Sequence, residues 1–217
     1  MSDSPSLRIT EIFFSLQGET SFAGLPTVFV RLTGCPMRCR YCDTAYAFQG
    51  GTVMSVDAIL EQVQRYAPRY VTVTGGEPLA QPECLVLLKR LCDAGMTVSL
   101  ETGGAVSTEG VDERVITVLD IKTPASGEHE RNHWPNLDRL RAHDQLKFVL
   151  CDEADYCWAR DYVRTNDVAS RVQEVLFSPV HGELSPRVLA ERVLADRLPV
   201  RVQLQQHKLI WGEEPGH

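Results

Sequence analysis

Three thiols fall within one short stretch, GCPMRCRYCDT, where Cys35, Cys39 and Cys42 form a CxxxCxxC array. Thiolate is the ligand form of cysteine, and three thiolates on one loop can hold a single metal ion or a cluster. A structural zinc site closes its tetrahedron with four protein ligands. The nearest histidines along the chain are His129 and His133, and there is no second CxxC pair, so zinc would need a distant fourth ligand. A three-cysteine [4Fe–4S] site instead leaves one iron without a protein ligand, which makes it a place for chemistry. Cys84, Cys92, Cys151 and Cys157 are scattered and bring the count to an odd seven, a usage that reads as metal binding in a reducing compartment.

Further residues of chemical interest come in short motifs. In TGGEP, Gly75 and Gly76 lack side chains, which permits close approach of the backbone to a ligand or simply a tight turn, and Glu77 offers an acceptor for an ammonium group. Arg31 lies four residues before Cys35, and its planar fork suits either a bidentate grip on a carboxylate or a structural ion pair.

The elements that must position these residues are legible as alternating patterns. Short β-branched or aromatic runs predict strands at 27–32, 70–73, 97–100, 115–120, 145–150, 174–177 and 200–204. Helices are predicted at 55–66, with Ser55 as N-cap, at 82–94, at 153–164 and at 185–196, the last opening on Ser185 and Pro186. Strand and helix in repetition require right-handed crossovers and a parallel sheet covered by helices. The units are too few for an eight-unit barrel, which leaves a partial barrel or a doubly wound sheet. Either architecture puts the ligand at the carboxyl ends of the strands. The unusual residues fall there: the cysteines follow the first predicted strand, TGGEP the second, ETGG the third, DIKTP the fourth and SPVHG the sixth. The one long polar loop is 125–133.

Composition bounds the partners. With 22 Lys+Arg against 29 Asp+Glu, the net charge of −7 disfavours nucleic acid or an anionic membrane surface, and a small ligand fits better. The 217 residues suit one domain over 1–217, with a cluster loop at 34–44 and a tail at 209–217 whose order the sequence leaves open. No apolar run has the length of a membrane helix, and MSDSPS is unlike a signal peptide, so a cytoplasmic location is expected.

The cysteine array with Tyr41 just before its last member, together with TGGEP after the next strand, resembles the radical S-adenosylmethionine superfamily. More narrowly, EIFFSLQGE, RLTGCPMRCRYCDT, TGGEP, ETGG and a late QQHK resemble the 7-carboxy-7-deazaguanine synthase (QueE) family along most of the chain, from Glu11 to Lys208. The resemblance implies a partial (β/α)6-type barrel of parallel strands and a radical carbon–nitrogen lyase of queuosine biosynthesis. It implies a [4Fe–4S] cluster on Cys35, Cys39 and Cys42, S-adenosylmethionine, and Mg²⁺ at Thr44. Tyr41, Cys42 and Asp43 would line the adenine side; Gly75, Gly76 and Glu77 would receive the methionyl group; Glu101, Lys122, Ser178 and Pro179 would be further cofactor contacts. The implied substrate is 6-carboxy-5,6,7,8-tetrahydropterin, met by Leu16, Gln17, Gly18, Arg31, Thr74 and His207. An electron-donor protein such as flavodoxin or ferredoxin is implied as a partner, and a homodimer is compatible with the family. His207 and Lys208 are expected at the end of the last strand, where His207 is a substrate contact or a plain strand-end histidine. A glycyl-radical activating enzyme and a non-catalytic zinc-binding module are the rival readings.

Overall fold

The computed structural model describes residues 5–212, 214 and 216. One mixed sheet holds the strands β1 (Ser6–Leu16), β2 (Pro26–Leu32), β3 (Thr52–Ser55), β4 (Tyr70–Gly75), β5 (Thr97–Thr102), β6 (Ile116–Ile121), β7 (Gln145–Leu150), β8 (Glu174–Pro179) and β9 (Arg201–Val202). Its order is β3-β1-β2-β4-β5-β6-β7-β8-β9. From β2 to β9 every neighbouring pair is parallel, and β1 runs antiparallel to both β2 and β3. The strands β3 and β9 are free edges, so the sheet is an open, partial barrel. The α-helices are α1 (Val56–Gln64), α2 (Cys84–Asp93), α3 (Glu153–Asn166), α4 (Pro186–Asp196) and α5 (Gln206–Ile210). Among the described residues none is long and apolar enough to cross a membrane.

The strands predicted at 27–32, 70–73, 97–100, 115–120, 145–150 and 174–177 are β2 and β4 to β8. Two strands escaped prediction. In β1 the register slips between Ile9 and Glu11, a bulge that breaks the alternation by which a strand is recognised. β3 is a four-residue edge strand. The predicted strand 200–204 shrinks to Arg201–Val202, and His207 and Lys208 lie in α5 instead of on a strand. The cause is a change of partner: Gln203 N–H still bonds the Phe177 carbonyl of β8, but Gln206 N–H bonds the Gly18 carbonyl, so the chain leaves the sheet and turns toward the β1–β2 connection. Of the expected tail, α5 holds 209 and 210, whereas residues 213, 215 and 217 lie outside the described residues.

The apolar residues sort to the outer face. Val71, Val73, Val98 and Leu100 pack with Ile59, Val63, Leu87, Leu88 and Leu91 of α1 and α2. Leu119, Ile121, Leu146, Phe148 and Phe177 pack with Tyr156, Ala159, Val163, Leu189 and Val193 of α3 and α4. Caps fix the helix starts: Ser55 accepts from Ala58 N–H at 3.2 Å and Asp152 from Asp155 N–H at 2.9 Å. The links from β5 to β6 and from β6 to β7 contain no α-helix, and the predicted polar loop 125–133 lies in the second of these, among short 3-10 turns.

Alternation then dictates the inner face. Thr72 and Thr74, Ser99 and Glu101, Asp120 and Lys122, Gln145 and Lys147, and Ser178 are the neighbours of those apolar residues along each strand, so they point into the barrel. A sheet with one oily and one polar face puts its chemistry inside.

Candidate active site

The cysteine loop leaves β2 at Gly34, whose φ of +96° belongs to glycine. Gly34 N–H donates to Ala47 O and its carbonyl accepts from Glu77 N–H, both at 2.8 Å, which closes the loop and ties it to TGGEP. The polar 125–133 segment holds the other side: Arg38 N–H donates to Glu128 Oε1 at 2.8 Å and Arg40 N–H to Ser126 O at 3.0 Å. Cys35, Cys39 and Cys42 are free thiols at half-buried positions. Burial pushes all three thiols up, Cys39 to about 11, against the Lys122 charge that lowers each of them. Among the described residues no three His, Cys, Asp or Glu side chains converge on one metal-ion position. Zinc needs its ligands within about 2.3 Å of a single point, whereas a cluster distributes them over several irons.

The two glycines of TGGEP make their close approach to the chain itself. A Cβ on Gly75, at φ +151°, would come within 2.3 Å of Leu32 O, and one on Gly76 within 2.2 Å of Gly34 O and 2.9 Å of Cys35 Cβ. Only glycines let β4 end flush against the root of the cysteine loop. Glu77 is fully buried and receives Leu79 N–H at 3.1 Å, Thr102 Oγ1–H at 2.9 Å and Gly103 N–H at 2.9 Å. Burial raises its pKa, while these three donors and Lys122 favour the carboxylate. Gly103 is the meeting point of four segments: a Cβ there would lie 2.2 Å from Met37 Cε, 3.4 Å from Lys122 Cε and 3.6 Å from Glu77 Oε2.

Lys122 and Tyr41 form the next part of the wall. Lys122 is buried, pairs with Asp120 Oδ2 at 3.0 Å, and lies 5.8 Å from the Tyr41 ring centroid. The Tyr41 hydroxyl and Asp120 Oδ1 are enclosed and have no hydrogen-bond partner among the described residues. Orphaned buried polar atoms beside three free thiols are what a site for a bound polar group presents. Ser178, by contrast, donates to Gln203 O at 3.1 Å, and Pro179 ends β8.

Deeper in the barrel, Gln17 Nε2 donates to Thr72 Oγ1 at 3.2 Å and to Glu101 Oε1 at 3.1 Å, and Thr74 Oγ1 donates to Glu101 Oε2 at 3.0 Å. Glu101, expected among the cofactor contacts, is therefore bonded to two residues expected on the substrate side. Burial raises its pKa despite the nearby Lys147 charge. Glu19 and Lys147 form a largely enclosed ion pair: burial would raise the Glu19 pKa, but Lys147 together with the Gln205 amide holds it below the ordinary value. On the neighbouring wall Arg31 Nε donates to Glu11 Oε1 at 2.7 Å across the β1–β2 pair, Tyr46 Oη donates to the same oxygen at 2.8 Å, and the guanidinium carbon is 5.8 Å from both the Phe13 and Tyr46 ring centroids. Among the described residues Arg31 bonds Glu11 through Nε alone.

At the rim, Thr44 Oγ1 donates to Asp43 Oδ1 at 2.9 Å, and Asp43 Oδ2 meets Lys208 Nζ at 3.2 Å and Gln205 Nε2 at 3.4 Å. Partial burial would raise the Asp43 pKa, but Lys208 and Thr44 hold it at about 2. Gln205 Nε2 also donates to Glu19 Oε1 at 3.1 Å, and Gln203 bonds the Thr20 main chain at 2.8 Å in both directions. Gly18, next to Gln17 and just past Leu16 at the end of β1, lies under His207. Sequence reasoning missed Glu19, Lys147, Asp120 and Gln205 as members of this site. Lys147 carried a signal: it is a lone charge inside LKFVL, an otherwise apolar run on a strand of the covered sheet.

Residues 29–121 match the radical SAM superfamily. The chain is 48% identical to the 7-carboxy-7-deazaguanine synthase of Chlorobaculum tepidum over 99% of its own length and 98% of the relative's. It is 44% identical to that of Koribacter versatilis over 96% and 98%. The crystal structure of QueE from Escherichia coli superposes with a TM-score of 0.77 at 24% identity, covering 93% of this chain and 95% of that one, a likeness of fold. An α/β partial barrel whose cysteine loop, TGGEP turn and polar interior occupy one rim, with relatives matched from end to end, belongs to the 7-carboxy-7-deazaguanine synthase family of radical SAM enzymes, which work with a [4Fe–4S] cluster and S-adenosylmethionine.

Proposed function

We propose that this enzyme converts 6-carboxy-5,6,7,8-tetrahydropterin into 7-carboxy-7-deazaguanine with release of ammonia, in a reaction dependent on S-adenosylmethionine and Mg²⁺. The observation that carries the reading is the 48% identity, over nearly the whole chain, to a relative named for that product. The polar barrel interior opening beside the cysteine loop supports it.

Cys35, Cys39 and Cys42 would hold the cluster, and Tyr41 with the backbone of Cys42 and Asp43 would bound the adenine. When bound, the cluster and S-adenosylmethionine together supply a 5′-deoxyadenosyl radical by one-electron reductive cleavage of the sulfonium. Everything else asked of the chain is binding and orientation. Glu77, held by Leu79 N–H, Gly103 N–H and a Thr102 hydroxyl that reaches both of its oxygens, would brace the TGGEP turn that receives the methionyl group. Lys122, beside Tyr41 and Gly103, would neutralise a carboxylate there. Gln17 spends both amide hydrogens on Thr72 and Glu101 and accepts from Glu19 N–H, so what it would offer a heterocycle edge is the remaining lone pair of its carbonyl oxygen, with Thr74 behind it. Arg31 uses Nε on Glu11 and keeps its terminal nitrogens for the substrate carboxylate. Thr44 is a hard-oxygen donor of the kind Mg²⁺ accepts, next to a carboxylate that stays ionised. A flavodoxin or ferredoxin would deliver the electron.

The test is an anaerobic assay of the reconstituted protein with S-adenosylmethionine, MgCl₂, a reductant and the carboxytetrahydropterin, with Cys39→Ala as control. The deazaguanine should form in the wild type, and both product and cluster should be lost in the variant. Zinc as the sole metal would select the zinc-module reading. Cleavage of S-adenosylmethionine that ignores the pterin and is coupled to a glycyl radical on a protein would select the activating enzyme.

A further inference from the structure

Arg38 stands between Cys35 and Cys39, and its side chain folds back over the loop. One terminal nitrogen donates to the Cys35 carbonyl at 2.8 Å and to the Met37 carbonyl at 2.6 Å. The guanidinium carbon lies 4.2 Å from the centroid of the Phe48 ring, close enough for a cation–π contact. Phe48 ends the 3-10 turn Ala45–Phe48, which follows Cys42, so one side chain ties the turn after the first cysteine to the turn after the last. The same residue is held through its backbone by Glu128, whose other oxygen pairs with Arg131 at 2.8 Å.

The charge state of Arg38 is as specific as its geometry. Among the described residues no carboxylate lies within ion-pair distance of its guanidinium, whereas Arg31, Arg40, Lys122 and Lys208 pair with Glu11, Glu183, Asp120 and Asp43. The Arg38 guanidinium sits on the carbonyl of Cys35, the backbone of a cysteine of the array itself.

We propose that Arg38 is a positioning residue for the iron–sulfur cluster, fixing the Cys35–Met37 turn and setting the cluster's reduction potential. The proposal rests on the functional reading above. Reduction adds one electron, delivered by an external one-electron donor, to a group that is already anionic with its thiolates. A fixed cation beside it stabilises the more negative, reduced state and makes the electron easier to accept. Two carbonyl bonds and a ring hold the cation in place, although the residue is exposed and salt therefore weakens its effect.

The experiment compares wild type, R38Q, R38K and F48L, all reconstituted anaerobically, by iron and sulfide content and by EPR-monitored redox titration without substrate. R38Q at full iron content should show a reduced-to-oxidised ratio lower by three- to tenfold at a fixed ambient potential; tenfold corresponds to about 59 mV for a one-electron couple. R38K, which keeps the charge and loses the fork, should fall between R38Q and wild type. F48L should shift in the same direction as R38Q and by less. Equal midpoints for R38Q and wild type at equal iron content overturn the proposal. If R38Q fails to take up iron, F48L decides: a lowered midpoint sustains the proposal and an unchanged one overturns it. A wild-type protein that takes zinc and no iron fails the functional reading itself, and is recognised before any variant is compared.

Discussion

The imidazole of His207 rests directly on Gly18: a Cβ at position 18 would come within 2.3 Å of Nδ1 and 3.0 Å of Cγ and of the His207 main-chain nitrogen. The two residues are far apart in sequence, and the contact is made because Gln206 N–H bonds the Gly18 carbonyl at 3.0 Å and seats α5 on the β1–β2 connection. Gly18 has no positive φ, so space and not backbone strain is what demands a glycine there.

Gly18→Ala should therefore displace His207. Overpacking costs about 1 to 3 kcal/mol, which for a chain of this size lowers the melting temperature by about 2 to 4 °C per kcal/mol. In a His207→Ala background the cost should largely vanish. Thermal unfolding of wild type, both single variants and the double variant checks this; equal costs in both backgrounds would show that the ring contact is not what Gly18 serves.

Gly76→Ala sets backbone against backbone, since the new Cβ would meet Gly34 O at 2.2 Å. No side chain can rotate to relieve that contact, so the end of β4 or the root of the cysteine loop must move. The expected result is a reconstituted protein holding less than half the wild-type iron per chain, measured by metal analysis alongside circular dichroism to establish that the sheet persists.

Arg31→Lys keeps the charge and loses both Nε and the fork. A charge-assisted hydrogen bond is worth about 1.5 to 3 kcal/mol, so product formation should fall by roughly one to two decades. 5′-Deoxyadenosine formation without pterin should stay near the wild-type rate, because Arg31 lies on β2 facing Glu11 and Tyr46 and not in the cysteine loop. If both activities and the melting temperature fall together, Arg31 serves only its ion pair with Glu11.

Glu77→Gln is isosteric, yet it turns one acceptor oxygen into a donor facing Gly103 N–H, Thr102 Oγ1 or Leu79 N–H. Leaving buried donors unmatched costs about 1 to 3 kcal/mol. S-adenosylmethionine affinity, followed by equilibrium dialysis, should drop at least about tenfold, the equivalent of about 1.4 kcal/mol. Unchanged affinity with lowered stability would confine Glu77 to bracing the ETGG segment.

Burial holds the His207 pKa below its ordinary 6.5, assisted by Lys208 and Lys147 and opposed by Glu19 and Asp43. Between the folded and unfolded values the unfolded chain binds more protons, so this contribution to stability rises with pH. It is complete above about 6.5 and is lost as pH falls toward the folded-state value. The melting-temperature difference between wild type and His207→Gln should accordingly change in favour of the variant from pH 7 to pH 5. A difference independent of pH would place the imidazole in water.

The sequence by itself determined the parts whose signals are local. The strands β2 and β4 to β8 are legible because each is a short run rich in β-branched, aromatic or other apolar residues, and α1 to α4 because their apolar stripes and N-terminal residues lie within one segment. The cysteine array and TGGEP are legible as chemistry because spacing along one loop already brings three sulfurs within reach of a single group. Their shared rim follows from parallel strands alone, since every loop after such a strand emerges on the same side.

Only the tertiary structure decided which polar residues meet. Glu19 finds Lys147, and Asp43 finds Gln205 and Lys208, across sequence distances that no periodicity encodes. Arg31 faces Glu11 because the β1 bulge sets that register, and the same bulge hid the strand. His207 left its expected strand for α5 once Gln206 exchanged a sheet partner for the Gly18 carbonyl. A side chain's burial can be read from its own neighbours in sequence, but its partner depends on strand order and register, which are set by the packing of the whole sheet.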